Sequence, residues 1–250
     1  MQLFSPTDVI VVTGAAGGLG AAMCRRFAEL GAKVALSDLD SSDGAKDADE
    51  IGDGVSFFPM DVTDESAVGR AADAIAAELG PVTGVVANAG IAPTGPSLEY
   101  PKATWDKVIA VNQTGVFLTT KVFGNAMKDR GGAMVLTSSI AGLSVVHPER
   151  HVAYGASKAA VSHMAALLGV EWAPLGIRVN AVAPGYVETP ILDKMKEENP
   201  ETVREWEAAM PIGRLLKPAE VADATAFLLS DLARAVTGAT LACDGGYSKA

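Results

Sequence analysis

Short apolar runs alternate with longer segments of mixed polarity along this chain, and glycine or proline stands at many of the junctions. The apolar runs predict buried strands, and they cover Val9–Val12, Lys33–Ser37, Val55–Pro59, Gly84–Ala87, Ala133–Thr137, Ile177–Val182 and Thr240–Ala242. The longer segments predict helices, which cover about Leu19–Leu30, Ser66–Leu79, Trp105–Met127, Val152–Trp172 and Pro218–Leu229. This alternation predicts an α/β fold, a Rossmann-like doubly wound parallel sheet with helices on both faces.

The whole chain, residues 1–250, is expected to form one domain. No linker or low-complexity run divides it, and its length suits one large core. Residues 190–215 interrupt the alternation and are rich in charge, methionine and proline, which predicts a helical lid over the edge of the sheet. In this lid, Met195, Trp206 and Met210 could either line an apolar substrate wall or pack against the core.

Charge and cysteine content narrow the possible partners and cofactors. The formal net charge of −10 argues against nucleic acid or an anionic membrane as the main partner, because both require a basic face. Neither the two cysteines, Cys24 and Cys243, nor the three histidines have metal-ligand spacing, so no metal site is expected. The amino terminus lacks signal-peptide character, and no apolar run is long enough to span a bilayer. A cytoplasmic protein is therefore expected.

A glycine-rich turn lies directly between the first predicted strand and the first predicted helix. It runs from Thr13 to Gly20 with the sequence TGAAGGLG. Glycine lets the backbone turn tightly and approach a pyrophosphate, which the following helix amino terminus then stabilises. A cofactor cradle is therefore predicted, and its contacts are assigned to Gly14, Gly18, Leu19 and Gly20.

Asp38, at the end of the second predicted strand, bears on which nicotinamide cofactor is used. A carboxylate at this distance from a glycine-rich turn accepts hydrogen bonds from the adenosine ribose and repels a 2′-phosphate. A 2′-phosphate site needs Arg or Lys beside the ribose, whereas Gly and Leu occupy positions 17 and 39. The sequence therefore predicts NAD as the cofactor.

Tyr154 and Lys158 stand four residues apart at the start of a predicted helix. That spacing places both side chains on one helix face. A nearby ammonium stabilises a phenolate, so Lys158 is expected to lower the pKa of Tyr154. A tyrosine tuned in this way can exchange a proton with an alcohol or a carbonyl oxygen.

Together these features resemble the short-chain dehydrogenase/reductase family over essentially the whole chain. The matching motifs occur in the family's order and are Thr13-Gly-X-X-X-Gly18-X-Gly20, Asp61-Val62, Asn88-Ala89-Gly90, Asn112, Ser139, Tyr154-X-X-X-Lys158 and Pro184-Gly185-Tyr186-Val187-Glu188-Thr189. One departure is Ala87, where the family often has a second Asn. The resemblance implies a homotetramer, with the helices of Asn112 and Tyr154 pairing at one interface and the last strand at another.

The resemblance also implies a role for each matching residue. Tyr154 would be the general acid/base, Lys158 would bind the nicotinamide ribose, and Ser139 rather than Ser138 would hold the reacting oxygen. Asn112 would hold a water that relays protons from Lys158 to solvent, or would simply kink its helix. The remaining cofactor contacts implied are Asp61 and Val62 at the adenine, Asn88, Ala89 and Gly90 at the adenosine, and Pro184, Gly185, Val187 and Thr189 near the nicotinamide.

The segment between Ser139 and Tyr154 is longer than is usual in the family, at fifteen positions. A similar long form with a central proline occurs in members that act on polyols and sugars, so the resemblance implies such a substrate. His147, Glu149, Arg150 and His151 in this segment could contact the substrate or lie in a solvated loop, and His147 is the assigned contact.

Three alternatives to a polyol dehydrogenase remain open from the sequence. A 3-oxoacyl-thioester reductase is common among close relatives but more often uses NADPH. A cyclic or aryl secondary alcohol dehydrogenase is favoured if the methionines and tryptophan of the lid face the pocket. A non-catalytic NAD-binding regulatory protein would leave Ser139, Tyr154 and Lys158 without a purpose.

Overall fold

The computed structural model describes residues 3–189 and 199–250, and it contains a seven-stranded, entirely parallel sheet. Its strands are β1 (Val9–Thr13), β2 (Lys33–Asp38), β3 (Val55–Pro59), β4 (Gly84–Ala87), β5 (Gly132–Thr137), β6 (Ile177–Pro184) and β7 (Thr240–Cys243). They lie in the order β3-β2-β1-β4-β5-β6-β7. The order reverses between β1 and β4, which opens a crevice at the carboxyl ends of these strands, where doubly wound folds bind ligands.

The described helices are α1 (Gly18–Glu29), α2 (Gly44–Ile51), α3 (Glu65–Glu78), α4 (Lys102–Ile109), α5 (Gly115–Met127), α6 (Val152–Glu171), α7 (Pro200–Ala209) and α8 (Pro218–Leu229). The expected α/β class and the doubly wound sheet are confirmed. None of these helices has the length and apolar content needed to cross a bilayer.

Apolar side chains fill both faces of the sheet and form two separate cores. One core includes Val11, Phe123 and Met134 beneath α3, α5 and α6. The other includes Ile10, Phe27 and Val182 beneath α1 and α8. Strands buried on both faces are expected to be continuously apolar, which explains why their positions are clear in the sequence.

Two helical segments differ from the sequence prediction. The helix predicted over Trp105–Met127 begins at Lys102 and contains a π-helical turn, Ala110–Thr114, that separates α4 from α5. Helix α2 was not predicted at all. It is short, rich in charge and buries only Gly44 and Ala48, so it lacks the large apolar side chains that mark the other helices.

The region predicted as a lid contains α7, whose apolar face packs against Tyr186 and Tyr247. Trp206 and Met210 are buried in a small cluster with Val203 and Leu215, against which Tyr186 and Tyr247 pack. Of the two alternatives for Trp206 and Met210, packing is therefore the one the structure supports. Met195 lies outside the described residues.

Candidate active site

A cleft of about 1110 Å³ opens at the carboxyl ends of the central strands. Most predicted site residues lie on its wall, namely Gly14, Gly18, Leu19, Gly20, Asp38, Asp61, Val62, Asn88, Ala89, Gly90, Ser139, Tyr154, Lys158, Pro184, Gly185, Val187 and Thr189. Asn112 and His147 are absent from the described lining. The fold thus brings residues from distant parts of the sequence to one place.

The glycine-rich turn provides bare backbone at one end of the cleft. Gly14, Gly17 and Gly18 have φ angles of 61°, 83° and 56°, which L-residues with side chains rarely adopt. A Cβ added at Gly17 or Gly18 would meet no other described atom within 4 Å, so this surface is open. Because α1 begins at Gly18, the turn combines close backbone access with a helix amino terminus, which suits a pyrophosphate.

Asn88 and Thr13 fix this turn to the end of the neighbouring strand β4. The Asn88 Nδ2 donates hydrogen bonds to the carbonyl oxygens of Thr13, at 3.1 Å, and Gly14, at 2.9 Å. In return, the Thr13 hydroxyl accepts from the backbone N–H groups of Asn88 and Ala89. The family motif around Asn88 therefore supports the cradle as well as lining the cleft.

Asp38 closes the other side of the cradle. Its Oδ2 accepts a hydrogen bond of 2.9 Å from the Ala16 N–H, and its Oδ1 accepts one of 2.7 Å from the Leu39 N–H. Each carboxylate oxygen retains further acceptor capacity. The carboxylate is therefore held in place with lone pairs available to ribose hydroxyls.

Tyr154, Ser139 and Lys158 meet at the middle of the cleft. Lys158 is buried, its Nζ lies 5.6 Å from the centroid of the Tyr154 ring, and it donates a hydrogen bond of 2.7 Å to the Thr137 carbonyl. The Ser139 side chain lies close enough to Tyr154 to lower the pKa of its phenol. The arrangement can move a proton at the Tyr154 oxygen with a cation close behind it.

The direction of the Tyr154 pKa differs from the sequence prediction. Burial raises the pKa of Tyr154, and the nearby Ser139 side chain lowers it by less. Burial also lowers the pKa of Lys158 to about 8. The prediction of a lowered pKa for Tyr154 is wrong. The spacing of two residues along a helix does not reveal how deeply the phenol is buried.

The two neighbouring serines have different surroundings. The Ser138 hydroxyl donates a hydrogen bond of 2.8 Å to the Lys158 carbonyl and shares another with the Ser162 hydroxyl, so it anchors β5 to α6. The Ser139 hydroxyl accepts from the Ala141 N–H and contacts Tyr154. This geometry favours Ser139 over Ser138 as the serine beside the reacting oxygen.

Asn112 lies behind the cleft in the π-helical turn and is fully buried. Its Oδ1 accepts from the Ile91 N–H, and its Nδ2 donates to the Ile91 carbonyl and the Ser157 hydroxyl. Both amide protons are therefore used within the protein. The alternative that Asn112 distorts its helix agrees with the π-helical turn, and the side chain also fixes the loop at Ile91.

His147, the predicted substrate contact, does not line the cleft. Its side chain is exposed, and only its backbone carbonyl takes part, as an acceptor for the Tyr186 hydroxyl. The same loop instead presents Val146, Glu149 and His151 to the cleft. The sequence leaves Glu149 and His151 as possible substrate contacts and does not distinguish them from their neighbours. The direction of a side chain in an irregular loop depends on its tertiary packing.

A pH dependence of stability is expected from Lys158. Its pKa is lowered from 10.5 to about 8, so below pH 8 the folded protein carries an unfavourably buried charge. Between about pH 8 and 10 the unfolded chain keeps a proton that the folded chain has lost, and stability rises with pH. From pH 8 to 9.5 the contribution of Lys158 to the free energy of unfolding should increase by about 2 kcal/mol. The buried Cys24 thiol, whose pKa is raised, acts in the opposite direction in the total.

Denaturant unfolding at both pH values, with no cofactor added, measures this increase. The Lys158→Met variant isolates it from other titrating groups, because the increase should be missing there. An equal rise in both proteins would contradict the expectation. The pH is kept below 10 because the raised pKa of Tyr154 makes stability fall above that point.

Comparison with known proteins agrees with this fold and site. A family model described as enoyl-(acyl carrier protein) reductase, named adh_short_C2, matches residues 14–248. The galactitol 2-dehydrogenase (L-tagatose-forming) of Cereibacter sphaeroides is 44% identical, with 95% of this chain and 93% of that protein aligned. The cis-4-hydroxycyclohexanecarboxylate dehydrogenase of Sinomonas cyclohexanicum is 45% identical, with 96% of each aligned.

The solved structures give the same result. A short-chain type dehydrogenase/reductase from Mycobacterium marinum superimposes with a TM-score of 0.91 at 34% identity, covering 99% of this chain and 98% of that one. Fold and site together define a nicotinamide-dependent oxidoreductase that interconverts a secondary alcohol and a ketone. The chain belongs to the short-chain dehydrogenase/reductase family.

Proposed function

We propose that this protein oxidises a polyol at a secondary carbon with NAD as the hydride acceptor, or reduces the corresponding ketose with NADH as the hydride donor. The observation that carries the proposal is the polar wall of the cleft beside Tyr154, where Glu149 and His151 of the long loop are exposed to the substrate space. Hydroxylated substrates need such acceptors and donors. Similarity to a galactitol 2-dehydrogenase over nearly the whole chain supports the same substrate class.

The proposed chemistry assigns a proton step to this chain's own residues. A bound nicotinamide would supply the acceptor for the hydride of the carbinol carbon. The Tyr154 oxygen accepts the hydroxyl proton, while Ser139 holds the reacting oxygen by a hydrogen bond. The Lys158 ammonium stabilises negative charge on Tyr154, and the Thr137 carbonyl keeps that ammonium in place. A water beside Asn112 completes the proposed path from Lys158 to solvent.

The remaining predicted residues bind the cofactor in this proposal. Asp61 and Val62 contact the adenine, and Asn88, Ala89 and Gly90 line the adenosine. Val187 and Thr189 orient the carboxamide beside Pro184 and Gly185. Support comes from their shared position on the wall of the cleft.

The preference for NAD over NADP rests on Asp38. Its anchored carboxylate suits two ribose hydroxyls and would repel a 2′-phosphate. The double change Asp38→Ser with Leu39→Arg removes that carboxylate and adds a guanidinium for a phosphate. The ratio of kcat/KM with NAD to that with NADP should fall at least about a hundredfold, from the combined loss and gain of charged hydrogen bonds.

The control for this prediction is Asp40→Asn, which removes an exposed negative charge two positions away and should leave the cofactor ratio unchanged. Steady-state rates with each cofactor and a saturating substrate give the ratios. An unchanged ratio in the double variant would argue that Asp38 does not select the cofactor.

A second candidate function is oxidation of a cyclic secondary alcohol. The similarity to a cis-4-hydroxycyclohexanecarboxylate dehydrogenase favours it, although Trp206 and Met210 are buried in the lid's own small cluster and do not line the cleft. A 3-oxoacyl-thioester reductase is less well supported, because Asp38 disfavours NADPH. A regulatory NAD-binding role would leave the Ser139, Tyr154 and Lys158 arrangement unused.

Absorbance at the reduced-nicotinamide band tests the proposal. The purified protein is given NAD or NADP with polyols, sugar alcohols, cyclic and aryl alcohols and 3-hydroxyacyl thioesters. We expect the highest kcat/KM for a polyol with NAD. Turnover confined to thioesters with NADP would contradict both the substrate and the cofactor proposals, and would leave the chemistry of Tyr154 intact.

We further infer a cytoplasmic homotetramer in which α5 and α6 pair with their copies and β7 forms another contact. Support comes from the exposed apolar side chains that these helices carry, Phe117 on α5 and Leu167 and Val170 on α6, since closed symmetric assembly buries such faces. Sedimentation that shows only a monomer would contradict the assembly.

A further inference from the structure

Glu149 and Tyr186 form a polar pair on the wall of the cleft that also holds Ser139 and Tyr154. The Tyr186 hydroxyl donates to Glu149 Oε2, at 3.1 Å, and the His147 carbonyl competes for the same proton at 3.2 Å. Across residues 3–189 and 199–250, the second oxygen of Glu149, Oε1, accepts no hydrogen bond. A carboxylate with acceptor capacity to spare therefore borders the substrate space.

The loop that carries Glu149 reaches Tyr154, and Tyr186 is held in place by the lid helix. His151, two positions after Glu149, has its ring centroid 5.4 Å from that of Tyr154. Tyr186 stacks on Trp206 of α7 at 4.7 Å, so the lid helix fixes the position of its hydroxyl. Preorganised polar groups of this kind discriminate between substrates more strongly than mobile ones.

The Glu149 loop is also hydrogen-bonded to the segment that follows β4. The Arg150 carbonyl accepts a hydrogen bond of 3.0 Å from the Gly95 N–H, and within that segment the Tyr100 hydroxyl donates to the Pro93 carbonyl. The charge on Glu149 therefore stays at a defined place relative to the substrate.

The chemistry of the pair favours a particular kind of substrate. An ionised carboxylate only accepts hydrogen bonds, so it is satisfied by a hydroxyl donor. Burial and the adjacent carboxylate raise the pKa of Tyr186, and its hydroxyl therefore remains protonated. A substrate without a second hydroxyl would leave the partly buried carboxylate without its donor, and an anionic substrate would be repelled.

We propose that Glu149, oriented by Tyr186, determines substrate specificity by accepting a hydrogen bond from a second hydroxyl group of the substrate. The inference rests on the proposed polyol function and assigns its selectivity to one carboxylate. It also predicts that anionic alcohols are poorer substrates, because the same charge that attracts a hydroxyl repels a carboxylate.

The experiment compares kcat/KM for galactitol, cyclohexanol and cis-4-hydroxycyclohexanecarboxylate in the wild type and in Glu149→Gln. A charge-assisted hydrogen bond accounts for at least about a tenfold change. We expect kcat/KM for galactitol to fall by that factor, mostly through a raised KM. The value for cyclohexanol should change by less than about twofold. The value for the carboxylate substrate should rise, because its electrostatic repulsion is removed.

Two further variants complete the test. Glu99→Gln removes an exposed carboxylate outside the cleft lining and should change none of the three values. Tyr186→Phe keeps the ring that stacks on Trp206 and removes only the hydroxyl, so galactitol should again lose more than cyclohexanol.

The outcomes separate the inference from the function beneath it. If galactitol is a good substrate but Glu149→Gln lowers kcat/KM equally for galactitol and cyclohexanol, Glu149 has a structural role. The inference is then overturned, and the proposed function stands. If the wild type turns over cyclohexanol but not galactitol, the inference and the proposed function are both overturned. A carboxylate substrate that gains nothing in Glu149→Gln would overturn the electrostatic part of the inference.

Discussion

Replacing Tyr154 by Phe is expected to lower kcat by at least about a thousandfold, within the range assigned to general acid–base groups. The change removes one oxygen and leaves the ring contacts with His151 and the Lys158 ammonium in place. Cofactor affinity should remain within about threefold, because the glycine turn and Asp38 lie elsewhere on the cleft. Loss of turnover with retained binding separates an enzyme from a regulatory NAD-binding protein.

The measurement pairs steady-state turnover with titration of reduced cofactor by fluorescence. Tyr100→Phe is the matched control, since Tyr100 is partly buried, its hydroxyl donates to the Pro93 carbonyl, and it does not line the cleft. It should keep nearly full turnover. A Tyr154→Phe variant with more than about a tenth of wild-type kcat would show that another group moves the proton.

Replacing Gly20 by Val is expected to weaken cofactor binding more than about a hundredfold and to destabilise the fold by about 3 kcal/mol, toward the upper end for overpacking. Even a Cβ at Gly20 would lie 2.5 Å from the Gly14 carbonyl oxygen and 2.7 Å from the Ala15 Cα. These are backbone atoms of the cradle and cannot rotate aside. The turn must shift, so its N–H groups no longer converge on a pyrophosphate.

Isothermal titration with NAD and denaturant unfolding measure the two effects of this change. Gly69→Val is the control, because a Cβ at Gly69 of α3 would meet no described atom within 4 Å. It should bind NAD normally. Unchanged NAD affinity in Gly20→Val would contradict the assignment of the glycine turn as the cradle.

Local chemistry explains why much of the cleft could be predicted from sequence. The glycine turn and Asp38 belong to one β-turn-α-β unit, so short-range geometry determines where they lie. Strands such as β3 and β4 begin and end at the predicted residues, Val55–Pro59 and Gly84–Ala87. The four residues of β4 are all buried, and the run of β3 is marked by its β-branched and aromatic residues after Gly54.

The features that the sequence left open or did not predict depend on tertiary contacts. Asn112 stands in a continuous helical pattern, and its π-helical turn accompanies hydrogen bonds to Ile91 and Ser157 far along the chain. Whether His147 or Glu149 reaches the cleft depends on how an irregular loop packs. The direction of the Tyr154 pKa depends on burial, which is a property of the whole fold.

The most direct test of the account follows a deuterium atom from a polyol to the cofactor. The protein is incubated with NAD and galactitol deuterated at its secondary carbinol carbons, and mass spectrometry then identifies the reduced cofactor and the sugar product. The account predicts deuterium in the reduced cofactor and a ketose as the product. Unlabelled reduced cofactor, an aldose, or no turnover with NAD would contradict the assignment of a secondary-alcohol polyol dehydrogenase.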